Sequence, residues 1–165
     1  MRVITGFARG RRLETLEGED VRPTTDRIKE AVFSIIQFET EGRAFLDLFA
    51  GSGQMGIEAL SRGAKTAFFV DNSKKSLDTV KRNLKTTKLE QNAKTFAMDY
   101  QSFVSMCSER FDIAFIDPPY KTGMLQKALE LVPEIMNETG IIIAENPLDE
   151  EILSNYGNFV LDRQY

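Results

Sequence analysis

The segment Asp117-Pro118-Pro119-Tyr120 places a carboxylate, two prolines and an aromatic ring at the end of a predicted strand. Proline has a fixed φ and no N–H, so the carbonyl oxygens of this segment are rigid and lack neighbouring donors. The Asp117 carboxylate and the Pro118 carbonyl can accept hydrogen bonds from the two N–H groups of an exocyclic amine, while Tyr120 stacks on the attached ring. The segment therefore predicts a binding site for a planar amine. The alternative is a simple turn, which would need neither the preceding strand nor a ligand loop earlier in the chain.

A glycine-rich turn between a predicted strand and a helix is the second chemical feature. Gly51, Gly53 and Gly56 fit the pattern G-x-G-x-x-G, in which glycines let the backbone approach a ligand closely. Asp71 follows Gly51 by roughly 20 residues, at the end of the next predicted strand, where a carboxylate can accept hydrogen bonds from ribose hydroxyls. We interpret this arrangement as a nucleoside-binding site. The alternative is a tight turn without a ligand, in which Asp71 caps the next helix.

The carboxylate of Asp47, shortly before the first glycine, bears on which nucleoside is bound. In dinucleotide enzymes the start of the helix faces a pyrophosphate, which a nearby carboxylate would repel. A cation such as the amino group of a methionine moiety would instead be attracted. The charge therefore favours S-adenosylmethionine over NAD. The structural alternative is that Asp47 accepts a hydrogen bond from its own turn.

Composition limits the chemistry further. The 165 residues carry a net charge of -4 and include no histidine and one cysteine, Cys107. The lack of histidine excludes Ser-His-Asp and Cys-His catalysis and histidine-bearing zinc sites, and a single cysteine excludes an internal disulfide. Proton transfer must use carboxylates, lysine, tyrosine, the backbone or water. We interpret Cys107 as a filler thiol rather than a nucleophile.

Charge and hydropathy also predict location. The first 12 residues contain four arginines and no acid, so positive charge is concentrated at the N-terminus of an otherwise acidic chain. Unbroken apolar runs reach only four residues, as at positions 141–144, whereas a membrane span needs about 20. The arginines also interrupt any apolar signal-peptide stretch. We expect a cytoplasmic protein without a membrane segment.

Strand and helix patterns alternate along most of the chain. This alternation predicts an α/β fold with a doubly wound, mostly parallel sheet, in which ligands bind at the carboxyl ends of the strands. We expect one domain over residues 1–165, with residues 1–40 as an N-terminal extension. A hairpin is expected at 2–7 and 11–15, and the predicted strands are 44–49, 66–70, 94–98, 112–116, 140–145 and 158–161. The predicted helices are 24–38, with Thr24 or Thr25 as N-cap, 54–62, 73–86, 101–107, 124–136 and 149–156.

The two chemical segments together resemble class I S-adenosylmethionine-dependent amino-methyltransferases, whose motif for an exocyclic nitrogen is [D/N/S]-P-P-[Y/F]. The N-terminal segment Arg-Pro-Thr-Thr-Asp-Arg at 22–27, preceded by Gly-Arg-Arg-Leu at 10–13, is more specific. It resembles the RsmD family of 16S ribosomal RNA guanine-N2 methyltransferases. Positions 46–53 and 58–64 resemble that family too, so the similarity covers nearly the whole chain.

The resemblance implies a Rossmann-like fold and a set of residues around S-adenosylmethionine. Asp47, Gly51 and Gly53 would contact the methionine end, Asp71 the ribose, Asp99 and Tyr100 the adenine, and Thr24 and Asp26 would close over the site. Asp99 could equally cap the next helix. The family ends in an antiparallel hairpin, so either the last strand is absent from this sequence or the sheet has an open edge.

The implied reaction is methyl transfer to the N2 amine of a guanine in 16S rRNA, and the expected substrate is this RNA within the small ribosomal subunit. The base would flip from its stack onto Tyr120, with the amine aligned by the Asp117-Pro118-Pro119 backbone. Arg9, Arg11 and Arg12 would hold phosphates. The resemblance also implies a monomer without a metal.

Several alternatives stay open at this point. The amine motif also fits adenine-N6 and protein glutamine-N5 methyltransferases, and the glycine pattern fits an NAD-dependent oxidoreductase. A non-catalytic RNA-binding module would bind RNA without a cofactor. Glu145 is interpreted as a solvated strand end, and the alternative is a contact with the substrate. The basic helix end formed by Lys81, Arg82, Lys85 and Lys88 is attributed to the helix dipole rather than to RNA.

Overall fold

The computed structural model describes residues 1–16, 26–147 and 151–165. Within this part of the chain, parallel strands form a sheet with helices on both faces. The strands of the sheet are β1 Ala44–Leu48, β2 Thr66–Asp71, β3 Ala93–Ala97, β4 Phe111–Ile116 and β5 Met136–Ala144. The helices are α1 Asp26–Ile35, α2 Gln54–Ser61, α3 Lys74–Thr87, α4 Tyr100–Met106 and α5 Met124–Leu131.

The strand order β3-β2-β1-β4-β5 confirms the predicted doubly wound fold. Side chains alternate between the two faces of each strand. On β1, Phe45 packs with the hydrophobic cluster of α1, α2 and α3, whereas Leu46 and Leu48 pack with the cluster of α4 and α5. Because both faces are covered, the central strands read as continuous apolar runs, which is why the sequence predicted them within one or two residues.

Proline explains one difference from the predicted elements. The helix expected at 124–136 ends at Leu131, and a 3-10 turn at Val132–Ile135 follows. Pro133 lacks the N–H that would continue the helix. The chain therefore enters β5 at Met136, earlier than expected.

The helix expected at 149–156 is wrong for the residues described there. Residues 151–154 are not helical, and the short strand β6 Asn155–Tyr156 pairs antiparallel with β7 Phe159–Val160. Gly157 has φ 57°, which supports a tight turn between them. Tyr156 is buried and its hydroxyl donates to Gln126 Oε1 of α5 at 2.5 Å. This tertiary contact outweighs the helical pattern of the segment.

The strand expected at 158–161 is β7, but it pairs with β6 and not with the main sheet. In the described residues β5 is hydrogen-bonded on one side only, to β4, and this fits either of the two expectations for the end of the sheet. None of the helices in the described residues has the length and apolar character that crossing a bilayer requires.

The N-terminal hairpin is present but carries a single β-bridge, between Arg2 and Arg12. Its strands are held by hydrogen bonds such as Val3 N–H to the Arg11 carbonyl at 2.9 Å. The first described residue of α1 is Asp26, and the expected N-cap, Thr24 or Thr25, lies outside the described residues.

The carboxylate of Glu58 fastens the hairpin to α2. It is fully buried and accepts hydrogen bonds from the backbone N–H of Ile4 at 2.8 Å, from that of Thr5 at 3.0 Å and from Arg62 Nε at 2.8 Å. Lys29 Nζ lies 3.9 Å from Glu58 Oε2. These donors compensate the negative charge of the buried carboxylate, which therefore needs no hydrogen bonds from water.

Lys29 connects α1 to the same cluster. Its side chain is fully buried, and Nζ donates to the Arg2 carbonyl at 2.6 Å. Burial lowers the pKa of Lys29, and the attraction of Glu58 and Asp26 opposes that shift. The cluster thus joins α1, α2 and the hairpin through groups that would be costly to leave unpaired.

Replacing Glu58 should destabilise the fold strongly. Glu58→Ala leaves Lys29 and hairpin N–H groups buried without their partner, so we expect a loss of roughly 3–5 kcal/mol in the free energy of unfolding, measured in urea. Glu14→Ala is the matched control, because the Glu14–Arg82 pair is 55% exposed on both sides and should cost about 1 kcal/mol or less. Equal losses in the two variants would contradict a structural role for the buried cluster.

Candidate nucleoside and amine site

The two chemical segments meet at the switch point of the sheet. The strand order reverses between β1 and β4, and Leu48 pairs with Ile116 at their carboxyl ends. The glycine-rich turn follows β1, and the segment 117–120 follows β4. The structure therefore brings together the features that the sequence predicted separately, at the place where open α/β sheets bind ligands.

The glycines of the turn differ in role. A Cβ on Gly53 would lie 2.9 Å from Val80 Cγ2, and one on Gly56 would lie 2.4 Å from the ring of Phe69. These two glycines permit close packing of α2 against its neighbours. A Cβ on Gly51 would meet nothing within 4 Å, so this residue leaves open space at the turn. The contact of Gly53 with a cofactor remains a prediction.

Asp71 is held between the turn and α3. Its Oδ2 accepts from Gly51 N–H at 2.9 Å, and its Oδ1 accepts from Ser73 N–H at 2.8 Å. Ser73 is the N-cap of α3, since its Oγ accepts from Ser76 N–H at 3.2 Å. Asp71 is therefore not the helix cap. Each of its oxygens keeps a second lone pair that can accept a hydroxyl.

Asp47 lies on β1 itself, not in the turn, and is 2% exposed. Its Oδ2 accepts from Gly56 N–H at 2.8 Å, so Asp47 does accept a hydrogen bond from the glycine-rich segment, as the structural alternative for this residue had it. Burial raises the pKa of Asp47 to about 8; the Gly56 hydrogen bond lowers it, and the charges of Asp117 and Asp71 raise it. Among the described residues, no lysine or arginine forms an ion pair with Asp47. The site thus holds a buried carboxyl group suited to an external cation.

Gln54, the first residue of α2, was not predicted as a site residue. Its side chain is buried, and its Oε1 has no hydrogen-bond partner in the described structure. The available signal in the sequence was a polar residue directly after Gly53, inside the glycine pattern. Buried acceptors without partners are rare in folded proteins, so Gln54 offers a second acceptor beside the turn.

Asp99 is the N-cap of α4, the structural alternative for this residue. Its Oδ1 accepts from Ser102 N–H at 2.9 Å and its Oδ2 from Ser102 Oγ at 2.7 Å. The backbone hydrogen bond from Ser102, followed by the side-chain one, lowers the pKa of Asp99. The ring of Tyr100 is buried and packs on Phe49, with centroids 5.1 Å apart. Adenine contacts of Asp99 and Tyr100 remain predictions.

The segment 117–120 forms a shallow cleft with the end of β5. Pro118 is buried, Tyr120 is 37% exposed, and the Tyr120 hydroxyl donates to Glu145 Oε1 at 2.7 Å. The cleft is lined by Pro118, Pro119, Tyr120, Thr122, Gly123, Leu125, Glu145 and Pro147. Glu145 lines this cleft, in agreement with the less favoured of the two interpretations of this residue, and its contact with a substrate remains a prediction. The register of β5 with β4 brings it there.

Of the two residues predicted to close over the site, Thr24 and Asp26, the structure describes only Asp26. Thr24 lies outside the described residues. Asp26 begins α1, and its Oδ1 lies 3.8 Å from Lys29 Nζ. Asp26 Oδ1 has no hydrogen-bond partner in the described structure. A contact of Thr24 or Asp26 with a cofactor remains a prediction.

The predicted RNA-binding arginines, Arg9, Arg11 and Arg12, are exposed on the hairpin. The hairpin packs at the carboxyl ends of α2 and α3: Phe7 N–H donates to the Ser61 carbonyl at 2.8 Å, and Arg11 Nη1 to the Thr86 carbonyl at 3.1 Å. Helices α2 and α3 pack on β1, β2 and β3, whereas the cleft lies beyond the ends of β4 and β5. Arg11 therefore lies near the basic end of α3 and on the other side of β1 from the cleft.

A family model described as "Conserved hypothetical protein 95" matches residues 1–165. The chain belongs to this family. Among its relatives, "Putative rRNA methyltransferase YlbH" of Bacillus subtilis is 41% identical over 99% of this chain and 92% of that protein. "Ribosomal RNA small subunit methyltransferase D" of Haemophilus influenzae is 33% identical over 93% of this chain and 82% of that protein.

A solved structure supports the same relationship. "Putative methyltransferase yhhF from Escherichia coli" superposes with a TM-score of 0.87 at 31% identity, covering 99% of this chain and 90% of that chain. The resemblance to the RsmD family is therefore confirmed, together with the Rossmann-like methyltransferase fold.

The raised pKa of Asp47 predicts a pH dependence of stability. Between about pH 4 and 8 the unfolded chain has released this proton while the folded protein retains it, so the free energy of unfolding should fall as pH rises. Asp47→Asn removes this contribution and should gain stability relative to wild type between pH 5 and 8, as measured by urea unfolding.

Asp99→Asn is the control, because the pKa of Asp99 is lowered and its contribution to stability is lost only as the pH falls into the acid range. This variant should keep the wild-type slope between pH 5 and 8. An Asp47→Asn variant with an unchanged slope would show that Asp47 is ionised in the folded protein.

Proposed function

We propose that this chain transfers a methyl group from S-adenosylmethionine to the exocyclic N2 amine of a guanine in small-subunit ribosomal RNA. The observation that carries the proposal is the meeting of the amine motif at 117–120 with the buried Asp47, which forms no ion pair among the described residues, at one switch point. Membership of a family with relatives named rRNA methyltransferases supports the substrate class.

The residues present fit S-adenosylmethionine. Asp47 would pair with the ammonium of the methionine moiety, and this pairing would compensate a charge that is otherwise costly to bury. Gly51 leaves room for close approach, and Asp71 has lone pairs left for the ribose hydroxyls. Gly53 would shape the turn at the methionine end. The further cofactor contacts proposed are those of Thr24, Asp26, Asp99 and Tyr100.

When bound, S-adenosylmethionine supplies an electrophilic methyl group on a sulfonium. The aromatic amine is a poor nucleophile because its lone pair is delocalised into the ring. Asp117 and the Pro118 carbonyl would accept its two N–H groups, and these hydrogen bonds strengthen as the nitrogen becomes tetrahedral and positive. Asp117 or solvent would then take the proton. Pro119 would keep the backbone rigid during this change.

Tyr120 would hold the base. A guanine stacked in an RNA helix does not expose its N2 amine to a cleft, so the nucleotide must flip out. The ring of Tyr120 is partly exposed beside the amine motif and would stack on the flipped base. Such stacking contributes about 1–3 kcal/mol per base, which offsets part of the unstacking cost.

Contacts with the rest of the RNA would be remote from the cleft. Arg9, Arg11 and Arg12 are exposed on the hairpin, and we propose that they bind phosphates there. The RNA would have to extend across the α2–α3 face to reach both regions. This requirement favours an assembled small subunit over a short oligonucleotide. We also propose that a monomer acts, as one domain, in the cytoplasm.

The alternatives differ in ligand or product. An NAD-dependent oxidoreductase would place a pyrophosphate near Asp47, where no described cation would compensate the charges. An RNA-binding module would have no use for the buried carboxyl group of Asp47. Methyl transfer to adenine N6 or to glutamine N5 would use the same motif. The identity of the methylated product distinguishes these reactions from transfer to guanine N2.

Cofactor choice can be tested by calorimetric titration. We expect binding of S-adenosylhomocysteine, which carries the same ammonium, and no binding of NAD. Asp47→Asn should weaken S-adenosylhomocysteine roughly 10- to 100-fold, the loss expected for one charged hydrogen bond. Binding of NAD by the wild type, without binding of S-adenosylhomocysteine, would overturn the proposed cofactor.

The reaction can be tested with methyl-labelled S-adenosylmethionine and small ribosomal subunits that lack the modification. Nucleoside analysis should find the label in N2-methylguanosine. Asp117→Ala should lower kcat/KM by about 100-fold or more while leaving cofactor binding intact, because it removes an acceptor for the reacting amine. Asp162→Ala, at an exposed site of the C-terminal segment, is the matched control and should remain active. Label in methyladenosine or in protein, or an active Asp117→Ala, would contradict the proposal.

A further inference from the structure

Glu145 lines the cleft next to the amine motif and has no role in the methyl transfer proposed above. Ile116 pairs with Ala144, and Glu145 N–H donates to the Ile116 carbonyl at 2.9 Å. Asp117 and Glu145 therefore leave the ends of adjacent parallel strands at the same level, with backbones about 4.8 Å apart. Glu145 lines the cleft together with Pro118, Pro119 and Tyr120, and Asp117 directly precedes Pro118.

The two oxygens of Glu145 differ in their surroundings. Oε1 accepts the hydroxyl of Tyr120 at 2.7 Å, which fixes the ring that would stack on the base. Oε2 is inaccessible to solvent and has no hydrogen-bond partner in the described structure. A buried carboxylate oxygen without a donor is costly, and a ligand N–H would remove that cost.

Guanine carries the donor that would match this oxygen. Its N1–H is adjacent to the N2 amine, so this edge of the guanine ring offers three N–H groups: two on the amine and one at N1. In the proposed reaction Asp117 and the Pro118 carbonyl would accept the two amine hydrogens, which would leave N1–H for Glu145 Oε2. Adenine has a lone pair at N1, next to its N6 amine, and a carboxylate would repel it. A glutamine amide has two N–H groups and no third.

We propose that Glu145 is the specificity-determining residue for guanine: Oε1 positions Tyr120, and Oε2 accepts N1–H of the flipped base. This inference rests on the proposed methyl transfer. It identifies which group in the cleft separates guanine from the other planar amines that the motif at 117–120 accepts.

The test compares guanosine with 2-aminopurine ribonucleoside, which keeps the 2-amine but has a lone pair at N1. Small subunits are reconstituted from ribosomal RNA that carries either nucleoside at the methylated position, and methyl transfer is measured as kcat/KM. Wild type should favour guanosine by about 10- to 100-fold, the cost of replacing a hydrogen bond by a repulsive contact. A wild-type enzyme without this preference overturns the inference.

Variants separate recognition from structure. Glu145→Gln should bring the two substrates within a few-fold of each other, because the amide can present either its oxygen or its N–H to N1. Tyr120→Phe keeps the ring and loses the hydroxyl bound to Oε1; it should lower both rates by a similar factor and keep the preference. Binding of S-adenosylhomocysteine by calorimetry verifies that each variant is folded.

The outcomes distinguish failure of the inference about Glu145 from failure of the proposed guanine-N2 methyl transfer. If Glu145→Gln lowers both rates equally and keeps the preference, Glu145 is only structural, and the inference is wrong while guanine-N2 transfer stands. If Tyr120→Phe removes the preference and Glu145→Gln keeps it, the tyrosine hydroxyl recognises N1 and the inference is also wrong. If wild type methylates neither guanosine nor 2-aminopurine ribonucleoside in these particles, the proposed function fails, and the inference fails with it.

Discussion

Carboxyl groups converge where the strands of the sheet end, and their mutual repulsion is the constraint that the site must satisfy. Each group meets it differently. Backbone N–H groups stabilise Asp71, and a tyrosine hydroxyl stabilises one oxygen of Glu145. Burial raises the pKa of Asp47 to about 8; the hydrogen bond from Gly56 N–H opposes the shift, and the nearby charges of Asp117 and Asp71 add to it. A cationic ligand relieves this repulsion, so the same feature that strains the free protein favours the bound one.

The scaffold makes this convergence possible by fixing neighbouring elements rigidly. Gly53 and Gly56 let α2 approach Val80 and Phe69, which fixes where the turn begins. On the same face of the sheet, the buried Glu58 cluster anchors the hairpin and α1 to α2. Polar groups that are buried with full hydrogen bonding specify one arrangement, because any shift would leave a charge unpaired. The hairpin is therefore part of the fold, although it carries only one β-bridge.

The sequence predicted the central sheet and the location of the site well, since buried parallel strands leave apolar runs and ligands bind where those strands end. It failed where long-range contacts decide the outcome. The helical pattern around Tyr156 yielded to the hydrogen bond with Gln126 and to burial against α5. Glu145 entered the site through the register of β5 with β4, and the buried state of Lys29 depends on partners from three separate segments. Composition and local periodicity contain none of these pairings.

The protonated state of Asp47 links ligand binding to solution conditions. In the proposed complex the carboxyl group must ionise to pair with an ammonium, so below about pH 8 each molecule of cofactor bound displaces a proton from the protein. The buffer takes up that proton. The measured heat of binding will therefore vary with the ionisation enthalpy of the buffer, and the slope of that variation counts the protons released. A residue identified by its burial in a strand thus makes cofactor binding an acid–base reaction.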